Sequence, residues 1–213
     1  MSAVTQLQTR QGNRRQLWLL VLLFALPPLA AWLFYFNPQW LPTGRTNHGE
    51  LLEPISMETM ALRSTDGSAF DWEPLRDLWT LTLVAEGECN AQCTEQLIKL
   101  RQIRRALGAN RQRLERLLIL LPDTAGELDV PNLEGLEGTR LALVPETERD
   151  AIQGLFAGAE AARDQQLLII DPRVELMMRH DLSQITSKQV LQDLERLLKA
   201  SQNWARGGQY GHQ

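Results

Sequence analysis

The sequence predicts an α/β domain, built on a central mixed sheet flanked by helices, behind one N-terminal transmembrane helix. An uncharged 20-residue segment lies near the N-terminus, and after it short apolar runs alternate with longer amphipathic ones. The composition, 44% hydrophobic and 23% charged, excludes a disordered or collagen-like chain. Two cysteines in 213 residues are too few for a disulfide-rich scaffold.

The uncharged segment at 17–36 predicts the transmembrane helix. At about 1.5 Å per residue it spans roughly 30 Å, the thickness of the hydrocarbon core. Residues 1–16 contain Arg10, Arg14 and Arg15 and no acid, so the rest of the chain carries a net charge of −7. The positive-inside rule then predicts a cytoplasmic tip at 1–16 and a main domain on the other side of the membrane. We expect this membrane to be a bacterial-type inner membrane and the main domain to be periplasmic.

A cleaved signal peptide is the alternative interpretation of the same segment. In both cases the main domain is exported, so we do not expect nucleic acid as a partner. Residues 37–53 contain two prolines and two glycines without periodicity and are predicted to be a linker. The main domain is predicted at 54–204, followed by a disordered tail at 205–213.

The first elements of the domain are predicted from turn chemistry and periodicity. Asp66-Gly67 indicates a hairpin turn between 60–63 and 69–72. Residues 79–84 are rich in apolar and β-branched side chains and predict a strand. Residues 94–107 carry leucine and isoleucine at helical spacing, and Gly108 marks the end of that helix.

The remaining elements continue the alternation of strand and helix. A buried strand is predicted at 117–121, a shorter one at 140–144, and a helix at 148–156. Asp171-Pro172-Arg173 separates two further strands at 167–170 and 174–178. The last helix begins at Thr186, which forms a capping box with Gln189. A mixed sheet that ends in a hairpin and a terminal helix is the arrangement of the thioredoxin fold.

Both cysteines, Cys89 and Cys93, lie between the strand at 79–84 and the first amphipathic helix. Unpaired backbone N–H groups and the helix dipole stabilise a thiolate at such a position, which favours a redox pair or a metal site. Cys93 shares a helix face with Leu97 and Leu100 and is expected to be the more buried thiol. A structural disulfide is the alternative, although closing so short a loop removes little entropy from the unfolded chain.

The stretch 60–123 resembles the Sco/SenC family through the Asp66-Gly67 turn, the strand that follows Leu75-Arg76-Asp77-Leu78, and the Cys89-x-x-x-Cys93 pair. The ending from 167 onward is similar as well. The resemblance implies a membrane-anchored, thioredoxin-like protein that handles thiols or copper during cytochrome c oxidase assembly. Its implied partners are inner-membrane oxidase subunits or their assembly factors.

The sequence departs from the family's pattern at three positions. Asn90 and Thr94 follow the cysteines where the family usually has proline. The family's third copper ligand is a histidine about eight residues before the Asp-Pro, and that position is Arg163 here. His180 is a possible substitute, because the hairpin at 167–178 is expected to place it opposite Gln165. Copper is therefore a possible cofactor of Cys89, Cys93 and His180.

Two other functions stay open, so the sequence leaves it uncertain whether the protein is an enzyme. The alternatives to the Sco-like function are a non-catalytic assembly module and a general thiol–disulfide oxidoreductase. The basic stretch from Lys99 to Arg116 also permits two interpretations: a docking surface for an acidic partner or anionic headgroups, and the solvated face of a helix and loop.

Overall fold

The computed structural model describes residues 5–37, 40, 47–87, 89–122, 133, 135–159 and 162–203. The chain forms two compact units, Met1–Thr46 and Asn47–Gln213. The first contains helix α1, Thr5–Phe36, of which Arg14–Phe36 is long and apolar enough to cross a membrane, with a mean hydropathy of 2.3. It ends at the residue predicted from the sequence. The predicted tail at 205–213 lies outside the described residues.

The second unit is an α/β domain, as predicted. It contains β1 (Glu50–Ser56), β2 (Trp79–Glu86), α2 (Ala91–Ala106), β3 (Leu114–Leu121), β4 (Thr139–Leu143), α3 (Arg149–Gly154), β5 (Gln166–Ile170), β6 (Glu175–Asp181) and α4 (Ser187–Ala200). The strands form one sheet in the order β1-β6-β5-β2-β3-β4. β2, β3 and β4 are parallel, whereas β5, β6 and β1 join by antiparallel pairing, so the sheet is mixed.

The sheet is covered on both faces, and its central strands are buried along almost their whole length. β2 and β5 have no exposed residue apart from Glu86 at the end of β2. On one face α2 and α4 pack leucines, among them Leu97, Leu100 and Leu194, against side chains such as Leu81 and Leu118. On the other face α3 and the segment before β2 cover a second apolar cluster around Ile119 and Ile170. The thioredoxin-like arrangement therefore rests on a sheet with two buried faces.

Strand β1 replaces the end of the predicted linker, because Glu50–Ser56 begins within 37–53. Among the described strands it pairs with β6 alone, and five of its seven residues are exposed. Pro54 lies inside it, which an edge strand tolerates because one side of its backbone makes no ladder hydrogen bonds. Its periodicity is weak for the same reason: the strand buries little, so few of its positions need to be apolar.

The predicted hairpin at 60–72 is reduced to one antiparallel bridge between Arg63 and Ala69. The turn between them forms as expected, with the backbone N–H of Ser64 donating to the Ser68 carbonyl at 2.9 Å. Arg63 also bridges Leu143 of β4. The segment therefore attaches to the edge of the sheet instead of forming a two-stranded ribbon, which would be marginal by itself.

Candidate redox site and a buried histidine cluster

The two cysteines form a disulfide where β2 leads into α2. The Cα atoms of Cys89 and Cys93 lie 5.2 Å apart. Cys93 is 3% exposed and packs with Leu97 and Leu100, whereas Cys89 is half-buried and stands at the surface of the cluster. The bond is therefore accessible from the Cys89 side, and Cys93 is the more buried sulfur, as the helical spacing predicts.

Helix α2 begins at Ala91, three residues before the predicted start at 94, and Asn90 is its N-cap. The Asn90 side-chain oxygen accepts a hydrogen bond from the Cys93 N–H at 2.9 Å. Cys93 is thereby the third residue of the helix, where the unpaired N–H groups stabilise negative charge on a sulfur after reduction. Asparagine before a helical run is a recognised N-cap signal that the apolar periodicity alone misses.

An open cavity of about 550 Å³ lies beside the disulfide. Cys93 and Asn90 line one part of it, and Phe156 and Arg163 line another. Arg163 donates to the Glu86 carboxylate at 2.7 Å. The position where the family resemblance expects a histidine thus faces the same cavity as Cys93, but it presents a guanidinium, which has no lone pair for a metal.

His180 does not join the cysteines. It is 1% exposed on β6, and its partner across the hairpin is Leu167 instead of the predicted Gln165. The pairing differs by two residues: next to the turn Ile170 pairs with Leu176, one residue beyond the predicted register, and an irregularity between Ile169 and Ile170 adds the second. One irregular position displaces every later pair of a hairpin.

His180 instead belongs to a cluster with Asp193, which is buried, and His48, which is partly exposed; we call it the histidine cluster. The Asp193 carboxylate interacts with His180 Nε2 at 3.0 Å and with His48 Nδ1 at 3.2 Å. It also accepts the backbone N–H groups of His48 at 2.7 Å and Gly49 at 3.0 Å. Asp193 lies on α4 and His48-Gly49 directly precede β1, so one carboxylate joins the start of the domain to its last helix.

Glycine is required at position 49 because the His180 ring packs directly against the backbone there. A Cβ atom at this position would lie 2.6 Å from His180 Nε2, closer than carbon and nitrogen atoms can pack. The imidazole Nδ1 of His180 is buried and has no hydrogen-bond partner among the described residues. The ring is thus enclosed between the backbone at Gly49 and the Asp193 carboxylate.

The cluster shifts the pKa of two of its members. Burial lowers the pKa of His180, and this effect exceeds the opposing influence of the Asp193 carboxylate. Burial alone would raise the pKa of Asp193, but hydrogen bonds from His180, Gly49 and His48 together lower it. The cluster therefore favours a neutral His180 beside an ionised Asp193.

The described part of the chain contains no group of three His, Cys, Asp or Glu side chains arranged to hold a metal ion. After reduction, Cys89 and Cys93 offer two soft thiolate donors that suit Cu(I). The structure brings these two sulfurs together and leaves His180 in the histidine cluster. Neither a motif nor a spacing in the sequence indicated the pairing of Asp193 with His180 and His48.

The fold and the disulfide at the start of α2 define the class of protein: it is thioredoxin-like. Residues 79–201 match the family described as "Transmembrane-like, thioredoxin-like, C-terminal domain", and the chain belongs to that family. No curated protein sequence matches the chain.

Among solved structures the domain is similar to Sco proteins, as the sequence resemblance predicts. Apo Sco1 from Thermus thermophilus has a TM-score of 0.54 at 16% identity, covering 74% of this chain and 100% of that one. Arabidopsis thaliana ScoI with copper bound has a TM-score of 0.51 at 12% identity, covering 72% and 99%. Yeast Sco1 with copper bound has a TM-score of 0.50 at 15% identity, covering 74% and 96%. At these identities the likeness establishes the fold.

Proposed function

We propose that the protein is a membrane-anchored, exported thiol redox protein that assists cytochrome c oxidase assembly. One observation carries the redox part: the disulfide between half-buried Cys89 and buried Cys93 in the first turn of α2, beside an open cavity. The likeness to Sco structures supports the assembly role, with oxidase subunits or their assembly factors as partners. Helix α1 supplies the anchor, and the arginines before the span favour a cytoplasmic N-terminus and a periplasmic domain.

The exposure of the two sulfurs assigns their roles in thiol–disulfide exchange. In the reduced protein, the Cys89 thiolate attacks one sulfur of a partner disulfide, and the other partner sulfur leaves as a thiolate that takes up a proton. Cys93 then loses its proton and attacks Cys89. This second step releases the partner as a dithiol and restores the observed disulfide. Two electrons pass to the partner, and an upstream protein dithiol returns them to Cys89 and Cys93.

Copper handling is the second candidate, with Cu(I) as cargo. The reduced Cys89 and Cys93 fit the soft ion, and two of the similar structures contain copper. Against it stands Arg163, which lines the cavity at the position of the family's histidine. Since two thiolates without a third donor hold Cu(I) less firmly, we place thiol redox first.

Trapping with serine variants tests the redox function on the full chain in lipid nanodiscs. Cys93→Ser should accumulate a mixed disulfide through Cys89 with an oxidised peptide that carries two cysteines. Cys89→Ser should not trap it, because the remaining Cys93 is buried. Trapping through neither cysteine, or equal trapping by both variants, would contradict the proposed roles.

Complementation tests the assembly function in cells that lack the protein. If exchange is the function, the Cys89→Ser/Cys93→Ser variant should fail to restore oxidase activity. Full restoration by that variant would identify a non-catalytic assembly module. Failure of the wild-type protein to affect oxidase while it still reduces insulin-type disulfides would identify a general oxidoreductase.

Copper affinity is tested by Cu(I) titration of the reduced full chain against a competing chelator. Arg163→His should bind about tenfold more tightly than the wild type, because it adds an imidazole beside the thiolates. Arg140→His, an exposed change on β4, is the matched control. Tight stoichiometric binding by the wild type, without gain in Arg163→His, would favour copper handling over thiol redox.

A further inference from the structure

Five arginines converge on one small cavity on the α2 side of the sheet. The cavity measures about 160 Å³ and is lined by Arg101, Arg104, Arg105, Arg111, Arg116 and Glu137. Three arginines come from α2, one from the turn after it and one from β3. Five of the seven basic residues between Lys99 and Arg116 therefore line a concave site, here called the arginine pocket.

Arg116 forms the buried base of the arginine pocket. The residue is 2% exposed, and its Nε and Nη1 atoms are buried without a hydrogen-bond partner among the described residues. Its Nη2 donates to the Glu137 carbonyl at 2.7 Å. A guanidinium has five N–H donors, and leaving buried charged donors unpaired is costly. Arg116 therefore has donor capacity that the described protein does not use.

Most hydrogen bonds of the neighbouring arginines do not neutralise the positive charges of these side chains. Arg104 donates to the Leu114 carbonyl at 2.6 Å, and Arg101 donates to the Gly135 carbonyl. A carbonyl accepts a hydrogen bond but carries no neutralising charge. The only carboxylates near these arginines in the described residues are Glu115, 3.5 Å from Arg104, and Glu137 at the rim.

The positive charges of the arginines in the pocket repel one another. Burial lowers the pKa of Arg116, and the positive charges of Arg104, Arg101 and Arg105 lower it further. Hydrogen bonds from its own backbone N–H and from that of Gly135 lower the pKa of Glu137, and Arg101 and Arg116 add to the effect. An anion in the cavity would relieve the repulsion among the guanidinium groups.

A helix C-terminus explains only part of this arrangement. Arg104 and Arg105 lie in the last turn of α2, where cations interact favourably with the helix dipole. Arg116 lies on β3, and its burial against like charges gains nothing from that dipole. The convergence of charges from three elements needs another explanation.

We propose that the arginine pocket is a binding site for a phosphate group. Its donors come from several directions, Arg116 supplies unused N–H groups at the base, and the cavity has room for about one phosphate with waters. Guanidinium groups match the paired oxygens of a phosphate. The group comes from a soluble phosphate or from a phospholipid headgroup, and the site is separate from the cavity beside the cysteines.

The test measures binding of inorganic phosphate to the full chain in nanodiscs of zwitterionic lipid, by calorimetry at low ionic strength. The wild type should bind one phosphate. Arg116→Lys keeps the charge but loses the planar fork, and it should weaken binding about tenfold. Arg105→Gln, a substitution at the exposed rim that does not threaten folding, should also weaken it.

Arg140→Gln is the matched control, because it removes one exposed positive charge outside the pocket. It should leave phosphate affinity unchanged. Absence of phosphate binding by the wild type, or equal weakening by Arg140→Gln and Arg105→Gln, would overturn the proposal. The serine variant of both cysteines should bind phosphate like the wild type, so this test is independent of the redox proposal.

A second arm distinguishes the two sources of phosphate. Nanodiscs that contain phosphatidic acid should compete with inorganic phosphate if the pocket takes a headgroup, and the competition should disappear in Arg105→Gln. Phosphate binding that is insensitive to phosphatidic acid would assign a soluble ligand. Both results support a phosphate site and identify its source.

Discussion

The cysteine end of the domain and the histidine cluster both contain reactive side chains, but these side chains differ in their exposure to solvent. Cys89 is half-buried and its disulfide partner Cys93 lines an open cavity, so a partner thiol can reach the disulfide. His180 is 1% exposed and enclosed by Gly49 and Asp193. A thiol and an imidazole both bind metals and exchange protons, yet Cys89 is accessible and the imidazole of His180 is not.

This difference indicates that accessibility decides whether a reactive side chain takes part in a reaction or contributes to stability. At the cysteine end one N-cap hydrogen bond orients the helix, and the bond between the sulfurs closes a short loop. At the histidine cluster one buried carboxylate makes four hydrogen bonds to residues outside its own helix, in two separate parts of the domain. We therefore expect substitutions in the cluster to affect stability, and substitutions near Cys89 to affect exchange.

The largest effect is expected from Asp193→Ala. It leaves His180 and the backbone N–H groups of His48 and Gly49 without an acceptor, which should lower the free energy of unfolding by about 3 kcal/mol. Chemical denaturation of the full chain in detergent would measure the loss. The rate of thiol exchange by the remaining folded protein should stay unchanged. A slower exchange at equal folded fraction would show that the two regions are coupled.

Gly49→Ala examines the same cluster from the other side. The added methyl collides with the His180 ring, and the overpacking should cost about 2 kcal/mol. The matched control is Gly154→Ala, because a Cβ at that position has no atom within 4 Å. Equal stability of the two variants would contradict the enclosed position of His180.

A smaller effect is expected at the open end from Asn90→Ala. Loss of the N-cap should lower the free energy of unfolding by about 1 kcal/mol. It should also change the exchange rate, because the Asn90 oxygen holds the Cys93 backbone. Asn90→Ser, which retains a capping oxygen, should restore both values. An unchanged exchange rate in Asn90→Ala would show that the cap serves stability alone.

Acidification should have the mildest effect, and its first stage should come from the cluster. Because the pKa of His180 is lowered in the folded state, the unfolded chain takes up this proton first. The free energy of unfolding should therefore keep its full value above pH 6.5, about the ordinary pKa of histidine. It should decline as the pH falls toward the lowered pKa of His180. Asp193, whose pKa is also lowered, should contribute a further loss at more acidic pH.

The control for this pH dependence is the variant His180→Gln, because its side chain does not ionise. Denaturant midpoints measured across the range should fall with acidity in the wild type and should be flatter in the variant. Other groups face His180: Asp193, His48, which contacts the same carboxylate, and Arg196, 3.3 Å from Asp193 Oδ1. An identical decline in His180→Gln would show that the protonation of His180 is not the source of the dependence.

Local chemistry explains which elements were predictable. The capping box at Thr186 and Gln189 is present, and α4 begins at Ser187 as that motif requires. The turn of the β5–β6 hairpin also forms as predicted, with Asp171 Oδ1 accepting the N–H groups of Arg173 and Glu175. Such signals lie within a few residues of the structure they specify.

By itself, the sequence determined the apolar N-terminal helix, the mixed α/β domain and the adjacent cysteine pair, because each depends on neighbouring residues or on a simple period. Only the tertiary structure decided the partner of His180, the pairing of β1 and the meeting of the arginines around Arg116. These features join segments far apart in the chain. They depend on the register of paired strands and on how helices pack against the sheet. Neither property leaves a periodic pattern in the sequence.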